Sequence, residues 1–364
     1  FDMKDIEIPV ENPDPDSDEI LPPIIYKVNI KELAKKISVD NAMLILLDGR
    51  LNVKGNPNEN YARELFELFT LGQDNGYTQQ DIVAAARALT GWNGFTSACA
   101  PITFTAVLHD TGSKTIFGQT GNWGYDELHD ILFTERATEI SEYICGKIYR
   151  HFVHPEIAED IVTGLAETLR TNDWELEPVF RQLFKSEHFF DEKVMGTQIK
   201  SPLGLMLNTV IEGDFIINEE IQNYILYAGY QLNQGVFNPI DVAGWPGDRD
   251  WVNTNTITGR WQTSDFFIFT NYQGDPARLV SLAQALTTDN ANDPELVTQA
   301  IVDYLVPGGL TTPEAYAAAT DVFKWEVPQN YYDSGEWNLF WETVPAQVGL
   351  LMQHISRLPE FQLS

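Results

Sequence analysis

Basic side chains are scarce in this sequence of 364 residues. Lys and Arg number 23 against 53 Asp and Glu, so the net charge is −30. Nucleic acids and anionic membrane surfaces attract basic faces, and this charge balance argues against both as partners. Long hydrophobic runs are also missing, since none approaches the roughly 18 residues that a membrane span requires. We therefore expect a folded acidic protein with no nucleic-acid partner and no membrane span.

Cysteine is rarer still, with only Cys99 and Cys145. Their spacing is that of neither a CxxC motif nor a metal site. They either form a disulfide, which would stabilise the fold by about 4 kcal/mol in the chain-entropy model, or stay as two buried thiols. The acidic bias, few lysines and few cysteines fit a secreted, cell-surface or periplasmic protein. The chain begins at Phe1 without a signal segment, which is typical of a mature or trimmed product.

Complete catalytic motifs are the third absence. The sequence contains no HExxH, no P-loop, no GxGxxG and no GxSxG pattern. Zincin, nucleotide-binding, Rossmann and nucleophile-elbow chemistries therefore have no support in the sequence.

The hydrophobic pattern predicts a mainly α fold after an extended tail. Residues 1–25 hold five prolines and eight acids, so we interpret residues 1–27 as an acidic, Pro-rich tail or linker, with a short edge strand at Ile6–Val10 as an alternative. Residues 28–364 form a large helical domain, as one body or as two packed lobes. Helices are predicted at 58–71, 79–89, 125–133, 137–151, 175–186, 202–212, 219–232, 276–287, 295–305, 313–324 and 340–357.

Two segments break the helical period. Residues 102–118 contain the β-branched and aromatic runs ITFTAVL and KTIFG around HDTGS, which predicts one small inserted β-hairpin with HDTGS at its tip. Residues 233–263 are rich in Gly, Pro, Trp, Asn and Thr and predict a long loop, and loops of that length are usually functional.

Several blocks resemble a bacterial family known as DUF1800, a domain of unknown function. They are NPNENYARELFELFTLG, YTQQDIVAAARALTGW, HDTGSKTIFG, IKSP, VAGWPG, WVNTNT and the closing RLPEFQL. The resemblance implies export from the cell, and it implies a partner, because members are often encoded beside a secreted family related to alkaline phosphatases and sulfatases. It implies no activity. The sequence departs from the family in lacking its usual N-terminal helical section, so we expect either a cleaved fragment or a replacement by the acidic tail.

A polar arc on the helix predicted at 58–71 is the densest candidate site. Glu59, Arg63 and Glu67 are spaced four apart and would form a solvated ion-pair ladder. Alternatively, Glu59 and Glu64 lie in a cleft with Asn58 as an oxygen donor, where they would suit Ca²⁺ or Mg²⁺ or would perform acid–base chemistry.

The segment HDTGSK is the second candidate, with His109, Asp110 and Lys114 at the predicted hairpin tip. Asp and Gly are ordinary turn residues, so a structural reading is open. The functional reading takes His109 as a general base oriented by Asp110.

The long loop is the third candidate. It holds Trp245, Trp251, Asn253 and Arg260, which either plug the core or line a ligand surface in which flat rings combine with amide and charged groups. Such a surface would suit a polysaccharide or another neutral polymer.

These observations favour a secreted binding or assembly protein that presents a polar, Trp-lined cleft to a protein partner or an extracellular polymer. The alternative is a hydrolase or transferase whose motif blocks meet in one pocket. That reading requires convergence of Glu59, Glu64, His109, Asp110, Lys114, Lys200 and Arg260, with Arg63 as a further binding residue.

Overall fold

The structure is a computed structural model that describes residues 6–8, 24–26, 28–94 and 102–364, with side chains from Val28 onward. It is mainly α-helical: the described residues form sixteen α-helices and two two-stranded antiparallel sheets. The chain divides into two compact units, one ending at Phe190 and the other running from Asp191 to Ser364. Strand β1 (Ile6–Ile8) pairs with β2 (Ile24–Tyr26), and the other residues of the predicted tail lie outside the described part of the chain.

The first unit contains eight helices among its described residues. Their bounds are α1 (Ile30–Ser38), α2 (Asn41–Leu46), α3 (Asn60–Glu64), α4 (Gln79–Ala88), α5 (Tyr125–Glu135), α6 (Ala137–Phe152), α7 (Glu159–Thr171) and α8 (Leu176–Phe184). Helix α3 continues as a π-helical segment, Leu65–Thr70, which ends near Gly72 at φ +94°. Helix α4 begins at the predicted capping box, in which Thr78 and Asp81 bond each other's backbone N–H groups.

The β-hairpin exists, but it lies later in the chain than predicted. Strand β3 (Lys114–Ile116) pairs with β4 (Gln119–Gly121) through a two-residue turn, in which Phe117 and Gly118 both have positive φ. The run 102–108 forms only a bridge from Phe104 to Trp92 and a 3₁₀ turn. HDTGS is therefore a loop that leads into the hairpin, and the prediction that it forms the tip was wrong.

The second unit also contains eight helices. They are α9 (Pro202–Glu212), α10 (Glu219–Gln231), α11 (Thr254–Gly274), α12 (Pro276–Leu286), α13 (Pro294–Leu305), α14 (Pro313–Phe323), α15 (Gln329–Asp333) and α16 (Val344–Ser356). Six of them lie close to the predicted segments, whereas the helices at Thr254–Gly274 and Gln329–Asp333 were not predicted. The predicted loop at 233–263 is shorter than expected, because Asn253 caps α11 by accepting hydrogen bonds from the N–H groups of Asn255 and Thr256.

Helix α16 is the centre of the second unit, where it packs against α11, α12 and α14. The buried Gln347 of α16 hydrogen-bonds residues of the segments packed around this helix. The amide nitrogen donates to the Phe323 carbonyl (2.7 Å) and to the Tyr332 hydroxyl (2.9 Å), while its oxygen accepts from Trp337 Nε1 (3.2 Å). A fully satisfied buried amide fixes the orientation of its neighbours, since each lost bond would leave a buried polar atom unpaired.

Replacing Gln347 with Leu should lower the free energy of unfolding by about 2–3 kcal/mol, because three buried polar groups lose their partner. Urea unfolding of the whole chain measures this. The matched control is Gln353→Leu on the half-buried face of α16, and an equal loss in both variants would contradict the role assigned to Gln347.

Candidate functional site

Arg87 of α4 holds the segment His109–Lys114 in the first unit. Its Nε lies 2.7 Å from Asp110 Oδ2 and its Nη2 3.3 Å from Oδ1, while Nη1 donates to the Ser113 carbonyl at 3.1 Å. The hydrogen bond from Arg87 lowers the pKa of Asp110 to about 2. Asp110 is therefore an anion at every physiological pH, which suits a loop anchor and not a proton carrier.

Lys114 is a buried cation with no carboxylate in contact among the described residues. Only 2% of its surface is exposed, and Nζ donates to the carbonyl oxygens of Asp110 and of Gly112, the latter at 3.0 Å. Burial lowers the pKa of its ammonium group. Lys114 is the first residue of β3, and its side chain thus holds the preceding loop by bonding two of the loop's carbonyl oxygens.

His109 is oriented by Thr90, at the C-terminal end of α4. Its Nδ1 lies 2.9 Å from the Thr90 carbonyl oxygen, and the Thr90 hydroxyl accepts the Asp110 N–H at 2.7 Å. Because a carbonyl only accepts, Nδ1 carries a proton, and Nε2 is the ring nitrogen that faces away from this bond. The ring packs on Phe104, with centroids 5.4 Å apart.

The ladder predicted on α3 is present and extends to α4. Arg63 contacts Glu59 (3.2 Å) and Glu67 (3.4 Å), and both Arg63 and Glu59 bond the Gln79 side chain, at 3.0 and 2.6 Å. The ion pairs are about one-third exposed, which is the environment of a solvated ladder.

Two other predicted residues occupy this segment. Asn58 Oδ1 accepts the Asn60 N–H at 2.9 Å, so this side-chain oxygen is bonded to the backbone at the start of α3. Glu64 is half-buried on α3.

Helix α4 connects the two candidate clusters, since Gln79, Val83 and Arg87 recur on one face every four residues. This face lines an open groove of about 360 Å³, which Gln80, Ala84 and Thr115 of β3 complete. The ladder marks one end of the face and the Arg87–Asp110 pair the other.

A metal site is not formed in the part of the chain that the structure describes: no three His, Cys, Asp or Glu side chains there converge suitably for an ion. The predicted Ca²⁺ or Mg²⁺ stays a prediction.

Cys145 is a buried free thiol, and burial raises the pKa of this thiol to about 12. Cys99, and with it the choice between a disulfide and two buried thiols, lies outside the described residues.

In the second unit, Lys200 and Arg260 lie together. Arg260 is completely buried on α11, where Nη2 donates to the Lys200 carbonyl (2.8 Å) and Nε to Gln362 Oε1 (2.7 Å). Lys200 Nζ donates to the Phe361 carbonyl at 2.9 Å. Burial, with the nearby Arg260 charge, lowers the pKa of Lys200 to about 8.

These contacts fasten the C-terminal segment to the start of α9. Ile199 and Leu363 form an antiparallel bridge, and Gln198 and Ser364 exchange both backbone hydrogen bonds, at 3.2 and 2.8 Å. Three resemblance blocks, IKSP, the start of α11 and RLPEFQL, therefore meet at Arg260.

The segment Gly235–Trp245, which we call the aromatic loop, carries the exposed aromatic rings of the predicted long loop. Phe237 is 96% exposed and has φ +56°, whereas Trp245 is 40% exposed and donates from Nε1 to the Gly235 carbonyl at 3.0 Å. Trp251 is buried. Of the two tryptophans predicted to bind ligand, only Trp245 presents a ring to solvent.

The structure thus places the predicted residues in two groups. Glu59, Arg63 and Asp110 meet α4 in the first unit, and Lys200 and Arg260 meet in the second. Convergence of both groups in one pocket stays a prediction.

Sequence reasoning missed Arg87, Gln362 and Phe237. Arg87 had a usable signal, since it is the only basic residue of YTQQDIVAAARALTGW. Gln362 and Phe237 had none, because a long-range hydrogen bond and a left-handed backbone leave no local pattern.

Asp110→Asn should destabilise the protein by about 2 kcal/mol at pH 7, because the charge-assisted bond to Arg87 is lost. The folded pKa of Asp110 lies below its unfolded value near 4, so its contribution is present above pH 4 and disappears as the pH falls towards 2. The stability gap between wild type and variant should close over that window in urea titrations. Arg87→Gln should produce the same closing gap, and a gap that is constant with pH would contradict the assignment.

Arg260→Met should speed amide hydrogen exchange at Lys200 and Ser364 about tenfold or more, because the C-terminal segment loses two of its anchors. Mass-spectrometric exchange measures this. The control Arg357→Met removes an exposed ion pair with Asp265 and should leave both amides unchanged.

Comparison with known proteins gives a family and no precedent for the site. A search of curated proteins and a search of solved structures each find no match. The family model described as "Protein of unknown function (DUF1800)" matches residues 28–363, which is nearly the whole chain. The protein is a member of the DUF1800 family.

Proposed function

We propose that this protein is an exported binding or assembly protein that docks a protein partner through the aromatic loop. A location outside the cytoplasm, in the periplasm or on the cell surface, is part of the proposal and is supported by the acidic composition with few lysines. A partner related to alkaline phosphatases and sulfatases, which the family resemblance implies, fits this location.

Phe237 is the observation that carries the proposal. A non-glycine residue in the left-handed region costs roughly 1–2 kcal/mol, and a fully exposed phenylalanine forgoes a further 1.5–3 kcal/mol of burial. Phe237 has both features, at φ +56° and 96% exposure. Strain of this kind, held on a surface, is typical of a contact site that a ligand covers.

The surroundings of Phe237 favour a protein over a polysaccharide. Ile240 is 66% exposed and Val236 37% exposed, and branched aliphatic groups offer no flat face for a sugar ring. The Asp241 carboxylate accepts the Ala243 N–H at 2.8 Å and shapes the loop. An apolar centre beside the Asp241 carboxylate, on a chain with a net charge of −30, matches a partner with an apolar contact surface and a basic rim.

The enzyme alternative is less well supported by the same side chains. Asp110 is held as an anion by Arg87, and Lys114 is occupied by two backbone carbonyls. Both groups position a loop. His109 is then the remaining candidate base of this segment, and a single base is not a catalytic constellation.

Phe237→Gly should abolish capture of the partner while raising the free energy of unfolding by about 0.5 kcal/mol, because glycine relieves the left-handed strain at a small entropic cost. The two measurements are capture from an extract of the native source on immobilised protein, followed by mass spectrometry, and urea unfolding.

The matched control is Phe340→Gly, which removes another exposed phenylalanine, 68% exposed. It should keep the partner that the wild type captures and should gain no stability. Equal capture by wild type and Phe237→Gly would overturn the proposal, and so would a concentration-dependent homodimer that Phe237→Gly disperses, since the occupant would then be a second copy.

A further inference from the structure

Two cations lie close together in the second unit, and neither has a carboxylate in contact among the described residues. Arg260 is completely buried, and Lys200 is half-buried, with its Nζ 4.6 Å from the Phe361 ring centroid. Burial and the Arg260 charge together lower the pKa of Lys200, so the two positive charges act on each other. Buried charges of one sign are costly unless an opposite charge compensates them. This pair therefore calls for an anion.

The contacts of Arg260 show where such an anion would lie. Nε donates to Gln362 Oε1 at 2.7 Å, and Nη2 donates to the Lys200 carbonyl at 2.8 Å. Nη1 is buried and has no hydrogen-bond partner within the described residues. Buried polar atoms nearly always have a partner, and a charged donor without one is especially costly.

The N-terminus of α9, which begins two residues after Lys200, adds positive potential at this point. It offers no free donor at its first turn, because the Leu203 and Gly204 N–H groups already donate to side-chain oxygens, at 2.8 and 3.1 Å. Arg260 Nη1 and the remaining protons of Lys200 Nζ are therefore the groups open to an anion.

The geometry of Arg260 favours a small spherical anion over a carboxylate or a phosphate. Those larger groups bind a guanidinium through two parallel N–H groups on one edge. Nη2 belongs to both two-nitrogen edges of the group, and here it already bonds a carbonyl oxygen. A spherical ion needs only one N–H from each donor, and the burial of Nη1 requires the ion to be small.

We propose that a chloride ion binds at Arg260 Nη1, with Lys200 as the second cation of the site. The ion neutralises the point where α9, α11 and the C-terminal segment meet. The net charge of −30 opposes anion binding elsewhere on the chain, so a specific chloride effect reports this site. The proposal does not depend on the aromatic loop or on its partner.

Hydrogen exchange of the full chain tests the proposal at constant ionic strength, with chloride raised from about 1 mM to about 100 mM in place of gluconate. The readouts are the Lys200 and Ser364 amides, which donate to the Gln362 and Gln198 carbonyls, both at 2.8 Å. Their protection factors should rise about tenfold or more, because an ion that binds only the folded state stabilises it. Equal protection in both salts overturns the proposal, and so does an equal rise at the amides of α4, which would show a general salt effect.

Three variants then locate the ion. Lys200→Met keeps the backbone carbonyl that Arg260 bonds and removes one charge, so the gain from chloride should fall to about twofold or less. Arg260→Met should show no gain. The control Arg357→Met removes a positive charge that is about half exposed and should keep the full gain. A full gain in Arg260→Met, or an equal loss in the control, overturns the assignment.

The pH dependence is a readout that a merely structural Lys200 would not change. Burial and the Arg260 charge lower the pKa of Lys200 to about 8, against a small opposing effect of Glu212 on α9. Arg260 keeps its charge, since burial lowers its pKa only to about 10. The gain from chloride should therefore shrink as the pH rises through 8 in the wild type and stay constant in Lys200→Met. A constant gain in the wild type contradicts the role of Lys200 and overturns the proposal as stated.

Discussion

Contacts between buried or half-buried cations and backbone carbonyl oxygens are the constraint on which the clusters around Lys114 and Arg260 depend. Lys114 bonds the carbonyls within its own loop, Lys200 bonds that of Phe361, and Arg260 bonds that of Lys200. A buried charge is costly unless several hydrogen bonds satisfy it. Carbonyl oxygens supply bonds to all three cations, while Arg260 Nη1 has no partner among the described residues. Each cation thereby holds a segment that lies outside the α-helices. A protein with few basic residues thus uses several of them for hydrogen bonds that hold its own backbone.

These hydrogen bonds explain why the family blocks resemble active-site motifs in sequence, although in the structure their charged side chains hold chain segments together. HDTGSK is rich in charge because Arg87, Asp110 and Lys114 hold one irregular loop against α4. IKSP and RLPEFQL carry charge and amide groups because Arg260 and Gln362 join two chain segments. One buried group in these clusters, Arg260 Nη1, has no partner among the described residues. The aromatic loop proposed for binding is held instead by hydrogen bonds of Trp245 and Asp241 to its own backbone.

Much of the helical fold could be predicted because helix ends have local chemical signals. Thr78 with Asp81, and Ser201 before Pro202, mark the starts of α4 and α9. The start of α11 carried the same signal at Asn253, which the composition of the surrounding loop obscured. The hairpin was misplaced because its turn, Phe117–Gly118, lacks the Asn-Gly signature, and a β-branched run nearby suggested strands. The pairing of Arg87 with Asp110 depends on the fold of distant segments, which no local pattern encodes.

The bridge between Ile199 and Leu363 also bears on the topology of the second unit. It sets the segment that enters this unit, at Gln198 and Ile199, beside Leu363 and Ser364 of the same unit. Neighbouring ends are the geometry that lets a folded unit be inserted into a loop of another protein or be circularly permuted. New ends opened in an exposed turn, with Ser364 joined to Gln198 by a short linker, would preserve every helix of the unit. Domain insertion, in evolution or in protein engineering, would therefore move this half of the chain as one unit.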